Sequence, residues 1–228
     1  MSDVGQLLSF VIPVALGSAI SPLLLVTQVG ILSQNDRPRP KAMAFLAGAV
    51  AALCVWALIV STALMALVNK VEELAIHEIG VLDRILGIVL LLVAGYLILV
   101  PERQKDSDGS NDHSEVATAA SSGGLVKSLS FGFVMQVRDI SSIVLFISAI
   151  QHIDTSTVPA LVKWLIGVGL ICITTVTMWV PLFVKVRIPT AFLQRIKPAA
   201  EWARQHLRQI SIGVCLVFGC YLIIRGFF

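Results

Sequence analysis

Six stretches of mostly apolar residues, each long enough to cross a lipid bilayer as a helix, dominate this sequence. They cover residues 7–32, 42–68, 82–100, 125–150, 158–186 and 208–228. A hydrocarbon core about 30 Å thick requires about 20 residues of helix. Because a helix satisfies its own backbone hydrogen bonds in lipid, the pattern predicts an all-α polytopic membrane protein with six transmembrane helices.

The composition excludes an ordinary soluble domain. Of the residues, 57% are hydrophobic and 14% are charged, whereas soluble domains have about 45–50% apolar and about 25% charged residues. The net charge is +3, but the basic residues are spread over short polar segments and form no stripe with interleaved aromatic residues. We therefore expect membrane lipids, and no nucleic acid, as partners.

The distribution of basic residues predicts the orientation of the spans. Twelve of the 17 lie in three segments, 33–41, 101–127 and 185–208, which alternate with the apolar stretches. Short loops rich in Lys and Arg face the cytoplasm, so both termini are expected outside. The basic side chains in these loops that we expect to attract lipid headgroups are Arg37, Arg39, Lys41, Arg195 and Lys197.

An internal repeat divides the chain into two halves. A shift of 124 residues aligns Arg84 with Arg208 and Gly95 with Gly219, and the charge rule gives these two spans opposite directions. We therefore predict two inverted three-helix repeats, 1–100 and 125–228. A flexible cytoplasmic linker at 101–124 joins them, and the second repeat carries an amphipathic segment at 187–207.

The first helix of each half is expected to be broken or kinked. In the first half, Gly17 permits unwinding, and Pro22 removes a backbone donor beside Ser18 and Ser21. Repeats of this kind bind substrate near the midplane, where helices at corresponding positions are broken. Gly48, Gly95 and Gly219 are interpreted as helix-packing positions, whereas Pro181 is expected only to kink the fifth span.

The fourth stretch carries Gln136, Arg138 and Asp139 about half-way along its length. A charge at that depth costs about 2.5–3.5 kcal/mol on insertion scales, and such residues are usually functional. Two interpretations remain open for Arg138 and Asp139. They form either a structural ion pair, or a substrate or coupling-ion site that also includes Gln136 and the polar residues of the first break.

Other kinds of site have little support in the sequence. Cys54, Cys172, Cys215 and Cys220 lack metal-ligand spacing and are interpreted as small packing residues. There is no GxSxG pattern, no phosphate-binding P-loop pattern and no paired intramembrane carboxylate. We therefore expect no enzyme activity, no metal and no cofactor.

Several short motifs resemble the lysine-exporter superfamily, and most closely its mycobacterial-type branch, the peptidoglycolipid addressing proteins (GAP or Sap-like). They are ALGSAISP at 15–22, KAMAFLAG at 41–48, FGF…QVRD at 131–139, and HLRQI…GCYL at 206–222. The resemblance spans essentially the whole chain. It implies a six-helix exporter with inverted repeats in the plasma membrane of an actinobacterium, with a role in bringing glycolipid to the cell surface.

One departure from the superfamily bears on the substrate. Amino-acid exporters of the superfamily carry an Asn-Pro pair in each half, whereas this chain has Ser21-Pro22 in one and Arg138-Asp139 in the other. That difference disfavours an amino acid and leaves the transported species open. The resemblance to the closest branch implies a lipid or glycolipid, and we expect its site at the midplane between the first and fourth helices. The alternatives are an exporter of a small solute or metal ion and an accessory subunit of a lipid export or synthesis complex, and the chain could form a homo-oligomer.

Overall fold

Nine α-helices make up the part of the chain described by the computed structural model, which comprises residues 2–33, 38–70, 78–99, 124–187, 198, 202–203 and 205–227. In chain order, the helices are α1 (Ser2–Ala19), α2 (Pro22–Leu32), α3 (Pro38–Lys70), α4 (Glu78–Leu99), α5 (Leu125–Arg138), α6 (Ile140–Thr155), α7 (Ala160–Thr174), α8 (Val176–Arg187) and α9 (Leu207–Phe227). The predicted linker, except Gly124, and most of the predicted amphipathic segment lie outside the described residues.

Three of the helices, α3, α4 and α9, are each long and apolar enough to cross a membrane. The other six form three bent pairs, with angles of 52° between α1 and α2, 78° between α5 and α6, and 60° between α7 and α8. If each pair is one span, the described residues carry the six spans that the sequence predicts. We number these spans one to six in chain order.

The break in span one follows from Pro22, which is the first residue of α2. Proline has no N–H to donate to the preceding turn, and its fixed φ suits the first position of a helix. Ser21 adopts an extended conformation (φ −114°, ψ 95°), and its Oγ accepts a hydrogen bond from the backbone N–H of Leu24 at 3.5 Å. A new helix therefore begins where the sequence predicts the break.

Span four breaks at Asp139, which ends α5 and caps α6 (φ −83°, ψ 78°). Its Oδ1 accepts hydrogen bonds from the backbone N–H of Ser142 at 3.3 Å and from the Oγ of Ser141 at 2.9 Å. A carboxylate in this position satisfies donors that the first turn of a helix leaves unpaired. Asp139 thus has a local structural role at the predicted break.

The break in span five was not predicted. Pro181 lies inside the continuous helix α8, and the chain instead bends at Thr175, between α7 and α8. The Oγ1 of Thr175 donates a hydrogen bond to the carbonyl oxygen of Ile171 at 2.8 Å. Such a bond to the residue four positions earlier often bends a helix. The bend between α7 and α8 therefore lies at Thr175, six residues before Pro181.

Glycines let the backbones of α3 and α5 cross at very short range. A Cβ built on Gly48 would come closer than 3.0 Å to the carbonyl group of Leu129, and a Cβ on Gly132 would do the same at Phe45. Small residues permit this kind of approach between membrane helices. Gly48 therefore lies at a packing contact, and Gly132 is its counterpart on α5.

Helices α4 and α9 pack antiparallel along their length. Gly87 faces Gly219, and a Cβ on either would crowd the other's carbonyl oxygen. The Nε of Arg84 donates to the carbonyl oxygen of Gly226 at 2.7 Å, and that of Arg208 donates to Leu97 at 2.9 Å. Each arginine, near the start of its own helix, thus binds a carbonyl near the end of the other.

Gly95 does not have the packing role that the repeat suggested. No heavy atom of another described element lies within 4 Å of a Cβ built on it. The reason is that α4 and α9 meet at Gly87 and Gly219, which are not equivalent positions under the 124-residue shift. Of the three glycines predicted to pack helices, Gly48 and Gly219 lie at close contacts and Gly95 lies in open space.

The buried core has two parts. The larger lies among α1, α4, α6 and α9, with Phe10, Leu145 and Phe146 fully buried. The smaller lies among α2, α3 and α8, around Ile31 and Phe45. Many large apolar side chains on the outside remain exposed, which is the expected arrangement for helices surrounded by lipid.

Candidate functional site

The breaks of spans one, four and five meet inside the bundle. The Oγ of Ser142 donates to the carbonyl oxygen of Ser18 at 2.9 Å, and the Oγ of Ser18 lies 2.9 Å from the Oγ1 of Thr174. The Oγ1 of Thr177 donates to the carbonyl oxygen of Ala19. Side chains from spans four and five therefore satisfy carbonyls that the break in span one leaves without helical donors. We call these five residues the polar junction.

The polar junction is closed to its surroundings at its centre, because Ser18, Ser142 and Thr174 are all buried. Ser18 and Ser21 were predicted to be site residues, whereas the threonines of span five were not. Ser142 was missed. Its signal was present, since a serine three residues after Asp139 stands in the first turn of a newly capped helix.

Asp139 lies next to the polar junction and keeps one oxygen without a partner. Its Oδ2 is buried and accepts no hydrogen bond from the described residues, although its Oδ1 is used by the helix cap. A buried polar atom that remains unpaired costs about 1–3 kcal/mol, and more if it is charged. This oxygen can therefore accept a hydrogen bond from a ligand.

Arg138 does not face the interior as predicted, because its side chain is exposed. The inward-facing residues of α5 are Ser128, Gly132, Met135 and Gln136, and a helix places Arg138 outside that row. The guanidinium is accessible from outside the bundle beside the break.

Two buried glutamines lie on the broken spans, Gln28 on α2 and Gln136 on α5. The Nε2 of Gln28 is 3.4 Å from the carbonyl oxygens of Ala42 and Met178, and so links α2 to α3 and α8. Gln136 is buried on α5, and its Nε2 has no hydrogen-bond partner among the described residues. Gln28 thus joins three helices, whereas the Nε2 donor of Gln136 stays unpaired within the described part of the chain.

An open cleft of about 410 Å³ lies beside the break in span one. Its lining comes from spans one, five and six and is almost entirely apolar. The lining residues are Leu16, Ala19, Ile20, Ser21, Pro22, Leu25, Val176, Thr177, Ala203 and Ile210. Ala19 and Thr177 belong both to the cleft and to the polar junction, so the two features are adjacent. We refer to this feature as the apolar cleft.

The predicted basic loop residues are only partly covered by the structure. Arg39 is exposed at the start of α3, whereas Lys41 is buried. Arg37, Arg195 and Lys197 lie outside the described residues. Gly17, at the first break, packs against the ring of Phe218, where a Cβ would come closer than 3.0 Å.

Comparison with known proteins identifies one family. The sequence matches the family described as Sap, sulfolipid-1-addressing protein, over residues 11–227. No curated protein and no solved structure matches the chain. Since the match covers nearly the whole sequence and the described helices are long and apolar enough for a membrane protein, the chain belongs to the sulfolipid-1-addressing protein family.

Proposed function

We propose that the protein is an exporter that moves a lipid or glycolipid toward the cell surface, with an acyl chain in the apolar cleft and the headgroup near the polar junction. The observation that carries this proposal is the adjacency of the two features at Ala19 and Thr177. An amphipathic ligand needs an apolar surface and polar groups side by side. The family's description as lipid-addressing supports the same class of substrate.

The lining of the cleft favours a lipid chain over a small solute. Ligand pockets have volumes of about 300–1,000 Å³, and their few polar groups give specificity. Here the cleft is open and nearly all of its lining is apolar. A small polar solute or a metal ion would leave most of that surface without matching contacts.

Arg138 and Asp139 are suited to the headgroup. The exposed guanidinium can bind an anionic group, and Arg is the residue best shaped for bidentate contacts with such groups. The unpaired Oδ2 of Asp139 can accept a hydrogen bond from a hydroxyl. In this proposal the polar junction holds the broken helices in place and the two charged residues contact the ligand.

The arrangement of the spans supports a transporter built from two inverted repeats. Such a repeat relates span one to four, two to five and three to six, and places the site at the broken helices. The helix contacts fit that pairing. Spans one and four pack on each other through α1 and α6. The contact of span two with span four (α3 with α5) has a counterpart in the contact of span five with span one (α7 with α1). The reciprocal bonds of Arg84 and Arg208 also fit it.

The test is lipid movement by the purified full-length protein in liposomes. The probe is phosphatidylglycerol with a fluorescent group on one acyl chain, and the readout is its accessibility to a membrane-impermeant quencher over time. We expect the protein to accelerate movement above that in empty liposomes. Equal rates for well-folded protein and empty liposomes would contradict an autonomous exporter and favour a subunit that needs a partner.

A pair of variants locates the pathway. Leu25→Trp fills the apolar cleft, whereas Leu165→Trp changes a lipid-exposed leucine of α7. We expect the first variant to slow lipid movement about tenfold, equivalent to about 1.4 kcal/mol, and the second to move lipid like the parent protein. Equal rates in the two variants would show that the cleft is not on the pathway.

A further inference from the structure

A buried pair of ionisable residues lies at one end of the bundle, away from the proposed lipid site. Asp83, in the second turn of α4, is only 2% exposed, and its Oδ2 is 3.4 Å from the Nε2 of His152 near the end of α6. Asp83 and His152 are 69 positions apart in the chain, so only the packing of α4 on α6 brings them together.

The hydrogen bonds of the imidazole decide which nitrogen carries its proton. The Nδ1 of His152 is 3.1 Å from the carbonyl oxygen of Ser148. A carbonyl oxygen can only accept, so Nδ1 must donate. In a neutral imidazole the other nitrogen, Nε2, is then an acceptor, and it faces the carboxylate oxygen of Asp83.

Two acceptors facing each other at this distance require a proton between them. An ionised carboxylate accepts only, and so does the Nε2 of a neutral histidine with a protonated Nδ1. The observed contact is therefore favourable when either His152 or Asp83 carries one further proton. The other oxygen of Asp83, Oδ1, already accepts from the Oγ of Ser148 at 3.0 Å.

Side chains of two neighbouring helices, α1 and α9, surround the pair. From α1, the ring of Phe10 stacks on the imidazole with centroids 3.9 Å apart. From α9, the guanidinium of Arg225 lies 4.1 Å from the centroid of Phe10, on which it packs, and is 3.4 Å from the hydroxyl of Tyr221.

Further charged groups nearby are engaged elsewhere. Arg84, the neighbour of Asp83, binds Gly226. Asp154, two residues after His152, accepts from Ser61 of α3 at 2.5 Å, and its carbonyl oxygen accepts from Lys163 of α7. Among the described residues, the guanidinium of Arg225 acts electrostatically on both members of the pair, and one added proton makes the local charge more positive by one.

We propose that Asp83 and His152 bind one proton between Oδ2 and Nε2, and that this is the coupling-ion site of the exporter. The proton enters from water and returns to it, with no other reactant. The coupling role rests on the proposed export function, whereas proton binding does not. When the proton leaves, the two facing acceptors repel each other and the contact between α4 and α6 is weakened.

Helix α6 connects this site to the lipid site. It begins at the Asp139 cap beside the polar junction and carries His152 13 residues later, a distance of about 20 Å along a helix. Ser142 on the same helix binds the broken part of span one. A movement of α6 caused by proton release would therefore reach the three breaks directly.

The first test counts protons. Purified full-length protein in detergent is titrated between about pH 5 and about pH 9, a range around the ordinary histidine pKa, and compared with Asp83→Asn. The asparagine amide can donate to Nε2 without an added proton. We expect the variant to take up about one proton fewer per molecule. The matched control, Asp154→Asn, should take up as many protons as the parent protein. Equal proton uptake by the parent and Asp83→Asn would overturn the proposal.

The second test observes the imidazole itself and remains valid if one variant folds poorly. In protein with ¹⁵N-labelled histidine, the His152 signals are assigned by their loss in His152→Gln or by their shift in Asp83→Asn. We expect Nδ1 to stay protonated throughout and Nε2 to gain and lose a proton. In Asp83→Asn the ring should stay neutral. A proton that remains on Nε2 at every pH, with Nδ1 unprotonated, would overturn the assignment.

The third test separates proton binding from transport. Liposomes with and without a pH gradient carry the fluorescent phosphatidylglycerol described above. We expect the gradient to change the rate of lipid movement for the parent protein but not for Asp83→Asn. If lipid moves at the same rate with and without a gradient, the coupling proposal fails and the export function stands. If the proton binds but no lipid moves, the export function fails and the proton site stands.

Discussion

The Oγ of Ser142 donates a hydrogen bond to the backbone carbonyl oxygen of Ser18 over 2.9 Å, joining α6 to the broken part of the first span. Both residues are buried. In lipid there is no water to replace a lost donor, so a freed carbonyl must find a partner within the protein. This one bond therefore holds two helix breaks against each other.

Ser142→Ala should destabilise the fold by about 1–3 kcal/mol, because it leaves the Ser18 carbonyl without this donor in the interior. The measurement is equilibrium unfolding of the purified protein in detergent. Ser9→Ala is the matched control, since the hydroxyl of Ser9 is exposed and bonds only to Gln6 within its own helix. A Ser142→Ala protein as stable as Ser9→Ala would show that the bond is dispensable.

Gly48→Ala should reduce the yield of folded protein sharply. Its Cβ would collide with the backbone carbonyl of Leu129, and a backbone atom cannot rotate away as a flexible side chain can. Overpacking typically costs about 1–3 kcal/mol, and occasionally more. Monodisperse yield after size-exclusion chromatography is the readout.

The control for the glycine experiment is Gly95→Ala, since Gly95 has open space around it. Alanine is favoured over glycine in a helix by about 1 kcal/mol, so this variant should be at least as stable as the parent protein. If Gly48→Ala and Gly95→Ala give the same yield, the close crossing of α3 and α5 is not a constraint on the fold.

The spans and two of the three breaks were predictable from the sequence for clear physical reasons. The length of an apolar helix is set by bilayer thickness, and Pro22 removes a helix donor, which favours a break beside it. The break at Thr175 was not predictable with the same rules, because a threonine is compatible with a straight helix until its hydroxyl bonds back to a carbonyl.

The site was harder to predict because its partners come from distant parts of the chain. Buried charge drew attention to Asp139, and the structure places it beside the polar junction. The sequence could not show that Arg138 is exposed, since that depends on which face of α5 packs against α3. Nor could it show that Asp83 meets His152, because their contact depends on how α4 packs against α6.

Arg84→Lys and Arg208→Lys should each destabilise the protein, although the charge is kept. Lysine lacks the Nε donor that reaches Gly226 or Leu97 at the end of the antiparallel helix. Hydrogen bonds from charged donors contribute about 1.5–3 kcal/mol, and we expect both variants to lose a similar amount. The free energy of unfolding is compared with that of Arg39→Lys, which changes an exposed arginine. If either variant loses no more stability than this control, the corresponding hydrogen bond does not stabilise the fold.

The proposed orientation, with both termini outside, predicts which positions a membrane-impermeant thiol reagent can reach. Single cysteines at Asn35, Asn111 and Gln194 should remain unlabelled from outside intact cells, because the proposed orientation puts the basic segments around them in the cytoplasm. The background protein has its four natural cysteines replaced. The same positions should label after the cells are opened. Efficient labelling of any two of them in intact cells would contradict the proposed orientation.

The roles of Arg138 and Asp139 in binding a headgroup can be separated from their roles in the fold. Arg138 is exposed, so Arg138→Gln should fold like the parent protein. It should slow the movement of phosphatidylglycerol about tenfold, or about 1.4 kcal/mol, while that of a zwitterionic phosphatidylcholine probe changes little. Equal effects on the two lipids would exclude recognition of anionic charge by Arg138.

Two substitutions of Asp139 separate the effect of its helix-capping hydrogen bond from the effect of its negative charge. Asparagine can still accept from the Ser142 N–H, whereas Asp139→Ala loses the cap and about 1 kcal/mol of stability. We therefore expect Asp139→Asn to fold normally and to move lipid slowly. The double variant Arg138→Gln with Asp139→Asn should fold well and remain inactive in the liposome assay. If that double variant is well folded and fully active, the two residues have only a structural role and the headgroup must bind elsewhere.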